Sequence, residues 1–202
     1  MLKRFFDIIA SVFGLLILSP LLLITALAIK KDSAGPIFYR AKRVGRSGKV
    51  FTMYKFRTMI IDADKIGGPS TSADDPRLTK IGKKLRRYKI DELPQLINVF
   101  LGQMSLVGPR PEVLSEVETY DQKTKTIVLT VKPGMTDLAS LADFHEEEVL
   151  AGSADPHQAY REKIKPQKLR LQIEYVKKRS FWLDLKIIFK TLTMAFKQDD
   201  KN

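Results

Sequence analysis

The sequence contains no cysteine, which excludes disulfides and thiolate metal sites and agrees with a body kept in the cytosol. Histidine is nearly absent too. His145 and His157 are the only two, they lie in a polar region without metal-ligand spacing, and both read as surface residues. No internal repeat, RNA-binding signature or zinc-finger pattern is present. Ser70-Thr71-Ser72 lacks the Gly-Lys-Ser/Thr of a phosphate loop. Acidic residues are outnumbered, 23 against 35 Lys+Arg, which leaves a net charge of +12. Such a balance favours anionic partners: nucleic acid, acidic lipid headgroups or a phosphorylated substrate.

One long apolar run decides among these. Residues 5–29 are apolar almost throughout, with a Ser19-Pro20 break inside and Lys3-Arg4 and Lys30-Lys31 at the ends. As a helix the run is roughly 37 Å long, against a hydrocarbon core of about 30 Å. A membrane segment therefore occupies residues 1–31, and lipid and phosphate rank ahead of nucleic acid as partners. Pro20 lacks an N–H and should kink the helix, while the Ser19 hydroxyl can serve a carbonyl that Pro20 frees. Basic residues at both ends pull both toward the cytoplasm. Two geometries stay open: a kinked bitopic span, and a re-entrant helix that returns to the side it came from. A cleaved signal peptide fits poorly, because no small-x-small site comes after the run and the run is too long. The remainder, to about residue 197, suffices for one cytosolic domain.

Within that domain Pro36–Arg40 reads as a strand, Gly45-Arg-Ser-Gly48 as a turn, and Lys49–Met59 as the return strand of a hairpin. Asp62–Pro76 is a Gly/Ser/Asp/Pro-rich loop. Leu78, Ile81 and Leu85 predict a basic helix over 78–88, and Leu93, Leu96, Ile97 and Phe100 predict one over 91–101. Pro109 and Pro111 hold Arg110 in a rigid loop. A further helix is predicted over 166–178. The last, 181–196, carries Trp182, Lys186 and Lys190, with Lys197 just beyond it, and either lies in the membrane interface or packs on the core.

The densest chemistry is Arg86-Arg87-Tyr-Lys89-Ile-Asp91-Glu92-Leu-Pro94-Gln95. A helix start favours phosphate oxygens and keeps carboxylates ionised. An ionised Asp91 can act as a nucleophile toward a phosphoryl donor, or hold Mg²⁺ beside substrate phosphates. It can equally be a plain N-cap. A glycosidase pair is disfavoured, since those carboxylates face each other about 5 Å or more apart across a sugar. Lys55-Phe56-Arg57 and Pro109-Arg110-Pro111 supply cations for a diphosphate.

Taken in order, these segments resemble the bacterial sugar transferase family, the monotopic polyprenol-phosphate phosphoglycosyl transferases. The likeness runs through Ser19-Pro20, Pro36-Ile-Phe-Tyr39, Arg43-Val-Gly45, Tyr54-Lys-Phe-Arg-Thr-Met59 and Asp75-Pro-Arg77. It continues in Asp91-Glu-Leu-Pro-Gln-Leu96, Asn98-Val99, Met104-Ser-Leu-Val-Gly-Pro-Arg-Pro111, Lys132-Pro-Gly134 and Leu183-Asp-Leu-Lys-Ile187. The resemblance implies an α/β fold, with a re-entrant membrane helix and a small catalytic domain bearing interfacial amphipathic helices. It implies transfer of sugar-1-phosphate from a UDP-sugar to a polyprenol phosphate such as undecaprenyl phosphate, with UMP released. Asp91 would be the nucleophile, forming a phosphosugar-aspartyl intermediate, and Glu92 a base or Mg²⁺ ligand beside it. Arg86, Arg110, Lys55 and Arg57 would hold phosphate. The place implied is the cytoplasmic face of the bacterial inner membrane; a homodimer is compatible with membrane packing, but no motif requires one.

The sequence departs from the family in places. Ala41 stands where Gln is frequent, and Gln103 where an acid is usual. Met135-Thr-Asp-Leu-Ala-Ser140 replaces a Gly-Trp-Ala-Gln type stretch, and the acidic segment to about Pro166 is long. These departures leave the sugar undetermined. A transferase releasing UDP would need a nucleotide-binding α/β domain built around an Asp-x-Asp metal motif, and the sequence shows no such domain. A non-catalytic lipid-binding adaptor would leave Asp91 and Glu92 replaceable.

Overall fold

The computed structural model describes residues 1–67, 71–72, 74–142, 149–153 and 155–197. Helix α1, Leu2–Asp32, is 31 residues long and continues on both sides of Pro20. Ser19 Oγ donates to the Leu16 carbonyl at 2.7 Å. Leu16 is the i−4 acceptor that Pro20 cannot serve. The expected break at Ser19-Pro20 is therefore one substituted hydrogen bond inside a continuous helix.

The helix is turned inside out compared with one from a soluble protein. Asp7, Ser11 and Thr25 are buried with Ile29 against the rest of the chain. Phe5, Ile9, Phe13, Leu16, Ile17, Leu21, Ile24 and Leu27 are exposed. Polar groups facing protein and apolar ones facing outward is the arrangement a lipid solvent selects.

Both ends of α1 are tied to the same body. At the start, Lys3 Nζ meets Asp184 Oδ2 at 2.5 Å and the Val107 carbonyl at 3.0 Å. Arg4 donates to the Val99 and Phe100 carbonyls at 2.6 and 2.8 Å, and Asp7 accepts from Ser105 Oγ and the Leu106 amide at 2.8 and 3.0 Å. At the far end Ile29 packs with Phe56 and Leu85.

Strands β1 (Phe38–Val44) and β2 (Val50–Phe56) form the expected antiparallel hairpin, with Tyr39 opposite Lys55 and Ala41 opposite Met53. Its turn, Arg46–Gly48, uses left-handed backbone at Ser47 and Gly48 (φ 59° and 75°). The short helix α2 (Ala63–Ile66) comes next, inside the segment expected to be a loop. Helix α3 (Lys80–Arg87) is N-capped by Thr79, whose hydroxyl accepts from the Gly82 amide.

The helix expected over 91–101 begins later. Residues Ile90–Glu92 form a 3₁₀ turn, and α4 spans Gln95–Phe100. Pro94 has no N–H to give the Ile90 carbonyl, which instead accepts from Leu93 at 3.2 Å in an i+3 bond. The two carboxylates thus sit on a tighter turn ahead of the helix. Helix α4 closes over the hairpin through Ala41, Met53, Val99 and Met104.

Strand β3 (Ser105–Val107) pairs in parallel with β4 (Gly134–Thr136), with α5 (Leu114–Glu118) and α6 (Gln122–Val128) in the crossover. Helices α7 (Leu138–Leu141), α8 (Pro156–Ala159), α9 (Lys165–Lys178) and α10 (Phe181–Lys197) complete the described chain, with a π turn at Tyr160–Ile164. Helix α10 packs on the core along one face and leaves apolar side chains exposed on another. Ile187 is buried with Val107 and Tyr175, while Trp182, Phe189 and Leu192 are exposed.

His157 is not a plain surface residue. Its Nε2 lies 3.2 Å from Oε1 of buried Glu116, which also binds Arg161 and Lys165. No local sequence pattern links positions 116 and 157. His145 lies outside the described residues.

Candidate active site

The site is assembled where the 3₁₀ turn faces β2 and the Pro-Arg-Pro loop. Helix α3 ends at Arg87, and Lys89, which leads into the 3₁₀ turn, is a non-glycine residue in left-handed backbone at φ 56°. That conformation is costly for a residue with a Cβ, and such strain recurs at functional sites. Here it reverses the chain, so that the carboxylates point back at the hairpin.

Glu92 is clamped between two cations. Lys55 Nζ donates to its Oε1 at 2.8 Å, and Arg110 Nη1 donates to its Oε2 at 3.1 Å while Nη2 binds Oε1. Burial opposes ionisation of Glu92, but Arg110 and Lys55 override it and hold the carboxyl well below its usual range. Burial likewise pushes the Lys55 ammonium below its ordinary value, against the raising effect of Glu92.

Asp91 is the opposite case. It is only 7% exposed, and its carboxylate accepts no hydrogen bond among the described residues. Burial, then the charge of Glu92, pushes its pKa up to about 6, against the pull of Lys55, Arg86 and Arg110. Two adjacent carboxylates are thereby driven apart. Glu92 is a committed anion; Asp91 is an ungripped one, ionised at neutral pH and correspondingly nucleophilic.

The cations expected to hold phosphate divide into two groups. Lys55, Arg110 and Arg86 converge on the two carboxylates. Arg57 does not. It is buried and donates to the carbonyls of Pro36, Ala34 and Ser33 at 2.7, 2.8 and 2.8 Å, clamping the chain as it leaves α1. Alternation would put residues 55 and 57 on one face; the split arises because β2 ends at Phe56, and Arg57, just past it, turns to the Ser33, Ala34 and Pro36 carbonyls.

Other contributors were legible only as motif letters. Asn98 is fully buried, accepts from the Tyr54 amide at 2.9 Å and donates to the Thr52 carbonyl at 2.7 Å, which pins β2 on either side of Met53. Gln103, standing where an acid is usual, accepts from Asn98 Nδ2 at 2.6 Å through its own oxygen, so this departure leaves the pin in place. Arg43 is largely desolvated and electrostatically coupled to Arg110, Glu112 and Tyr39. The signal for these residues lay in the ladder register, which no local pattern supplies.

As a metal site the pair suits a hard cation. Magnesium takes one or two carboxylates and completes its shell with water and substrate phosphate. Asp91 offers unengaged oxygens, whereas both Glu92 oxygens already serve cations. No group of three or more His, Cys, Asp or Glu forms an all-protein cage among the described residues.

Comparison with known proteins identifies the family. A family model described as bacterial sugar transferase matches residues 1–198. The UDP-glucose:undecaprenyl-phosphate glucose-1-phosphate transferase of Escherichia coli (strain K12) is 38% identical over 97% of this chain and 40% of its own length. The UDP-N-acetylgalactosamine-undecaprenyl-phosphate N-acetylgalactosaminephosphotransferase of Aeromonas hydrophila is 37% identical, over 95% of this chain and 43% of its own. The exopolysaccharide production protein PSS of Rhizobium leguminosarum bv. phaseoli is 40% identical, over 95% and 93%. The chain thus spans less than half the length of several curated relatives and nearly all of another. A buried, ungripped aspartate beside a cation-clamped glutamate and a match along almost the whole chain lead to one assignment: this protein belongs to the bacterial sugar transferase family.

Proposed function

We infer that this protein transfers sugar-1-phosphate from a UDP-sugar to a polyprenol phosphate, releasing UMP. The observation that carries the reading is the divergence of the dyad, with Asp91 free of hydrogen bonds among the described residues while Glu92 is held by Lys55 and Arg110. Relatives named for undecaprenyl phosphate support that acceptor, and those named for glucose and N-acetylgalactosamine leave the sugar undecided.

In the first step an Asp91 carboxylate oxygen attacks the phosphorus that carries the sugar. The bond to the bridging oxygen breaks, and UMP leaves with that oxygen. In the second, a phosphate oxygen of the polyprenol attacks the same phosphorus, restoring the Asp91 carboxylate and yielding a polyprenol diphosphosugar. Arg110, Lys55 and Arg86 neutralise the charge that gathers on the phosphoryl oxygens, the dominant requirement in phosphoryl transfer. Glu92 fixes Arg110 and Lys55 in place before substrate arrives. Asp91, with Glu92 beside it, would hold Mg²⁺, which would supply further neutralisation of the diphosphate.

The anchor is read as re-entrant, with the domain on the cytoplasmic face. Support comes from Lys3, Arg4 and Asp7 at one end of α1 and Ile29 at the other, all touching the same body. A helix crossing the bilayer would carry one of those ends away from it. The exposed faces of α1 and α10 would then meet lipid, bringing the dyad to headgroup level. A cysteine introduced at Leu2 is expected to label only from the cytoplasmic side of sealed vesicles; labelling from the other side sinks the re-entrant reading.

The activity test is nucleotide release by purified protein with Mg²⁺, undecaprenyl phosphate and a panel of UDP-sugars. UMP is the expected product. Release of UDP would reject phosphosugar transfer.

A further inference from the structure

The geometry points to Asp137 as a positioning residue that sets the backbone of Arg110, and so couples the divergent 135–140 segment to the phosphate-binding arginine. This rests on the transfer reading above for its kinetic consequence, but not for its structural one. Pro109 and Pro111 lack N–H groups, so Arg110 carries the one backbone donor of its tripeptide. That N–H donates to Asp137 Oδ2 at 3.3 Å.

Asp137 is only 1% exposed, and its two oxygens have separate tasks. Oδ1 accepts from the Ser140 amide and hydroxyl at 2.7 and 2.8 Å, which is ordinary N-capping of α7. Oδ2 has no part in the cap. It takes Arg110 N–H and, at 3.3 Å, Nε2 of buried Gln172 on α9, whose own Oε1 has no partner among the described residues.

The backbones on either side are already pressed together. Gly108 donates to the Thr136 carbonyl and Gly134 to the Pro109 carbonyl, both at 3.0 Å, and a Cβ on Gly134 would lie 2.1 Å from the Gly108 nitrogen. Contact that close leaves little slack, so a carboxylate at 137 fixes where the loop ends and where the Arg110 guanidinium meets Glu92. Displacement of a catalytic contact by about 1 Å costs on the order of 100-fold in rate, and loss of a supporting partner roughly 10- to 100-fold.

Asp137→Ser separates the two tasks, because serine caps a helix well but is too short to also reach Arg110. In the full chain, turnover with the preferred UDP-sugar is expected to fall roughly 10- to 100-fold in kcat, with KM within about threefold. In an Arg110→Lys background the same substitution should cost under about threefold, since both changes strike one contact. Butanedione modification read by peptide mass spectrometry should be several-fold faster at Arg110 in the variant and unchanged at Arg161. Unaltered Arg110 reactivity, or a loss that adds fully to Arg110→Lys, overturns the proposal. If the wild type releases no UMP, the transfer reading fails and the Arg110 modification rate alone decides the role of Asp137. A serine variant that does not fold passes both readouts to Asp137→Asn, whose amide presents a donor to one of the two N–H groups.

Discussion

Asp91→Asn is expected to abolish UMP release, by roughly 10⁴-fold or more, and at the same time to make the metal-free protein more stable. The first effect follows from the nucleophilic role proposed for Asp91. The second comes from its surroundings, since the Asp91 pKa stands at about 6 against an ordinary 3.8. A carboxyl whose folded pKa is raised binds its proton more tightly in the folded state. Stability from this group is fully present below about pH 4 and is lost as pH rises toward 6 and beyond. At pH 8 the ionised form costs on the order of 1–3 kcal/mol, which an uncharged Asn avoids. Thermal unfolding in detergent with EDTA should show the variant melting several degrees higher at pH 8, converging with wild type near pH 4. A lower melting temperature at pH 8 would remove the case that Asp91 is held in a disfavoured charged state.

Arg57→Ala should act on the fold and leave substrate affinity alone. The guanidinium satisfies three carbonyls, at Ser33, Ala34 and Pro36, where the chain leaves α1 and enters the hairpin. Removing it strands buried acceptors and deletes a charge-assisted network, a loss of about 3 kcal/mol or more. For a chain of this size that corresponds to a melting temperature lower by roughly 6–12 °C. The KM for the UDP-sugar in whatever protein remains folded should stay within about threefold. A raised KM at unchanged melting temperature would return Arg57 to the phosphate site that the Lys-Phe-Arg motif suggests.

These two residues mark where local reading succeeds and where it stops. Asp91 and Glu92 stand out in the chain because a carboxylate pair after a cationic cluster is a chemical statement in itself. Their opposite charge states are not legible there, because they depend on Lys55, 37 positions away, and on Arg110, 18 away. Arg57 shares a motif with Lys55 yet serves the backbone, because direction at a strand end is set by pairing. In the sequence Asp137 is one letter in a departure from the family pattern, and only the approach of Gly134 to Gly108 gives it a neighbour in the site.

By itself the sequence determined the features set by composition and short-range order: an apolar N-terminal helix, a hairpin, an acidic dyad after basic residues, and a proline-locked arginine. Periodicity, proline geometry and side-chain chemistry act over a few residues and need no partner. Only the tertiary structure decided which cations reach Glu92, that Asp91 is left ungripped, that both ends of α1 rest on one body, and that His157 pairs with Glu116. Those outcomes come from ladder register, desolvation and charge pairing between distant segments. Such terms take their values only once the chain has closed on itself.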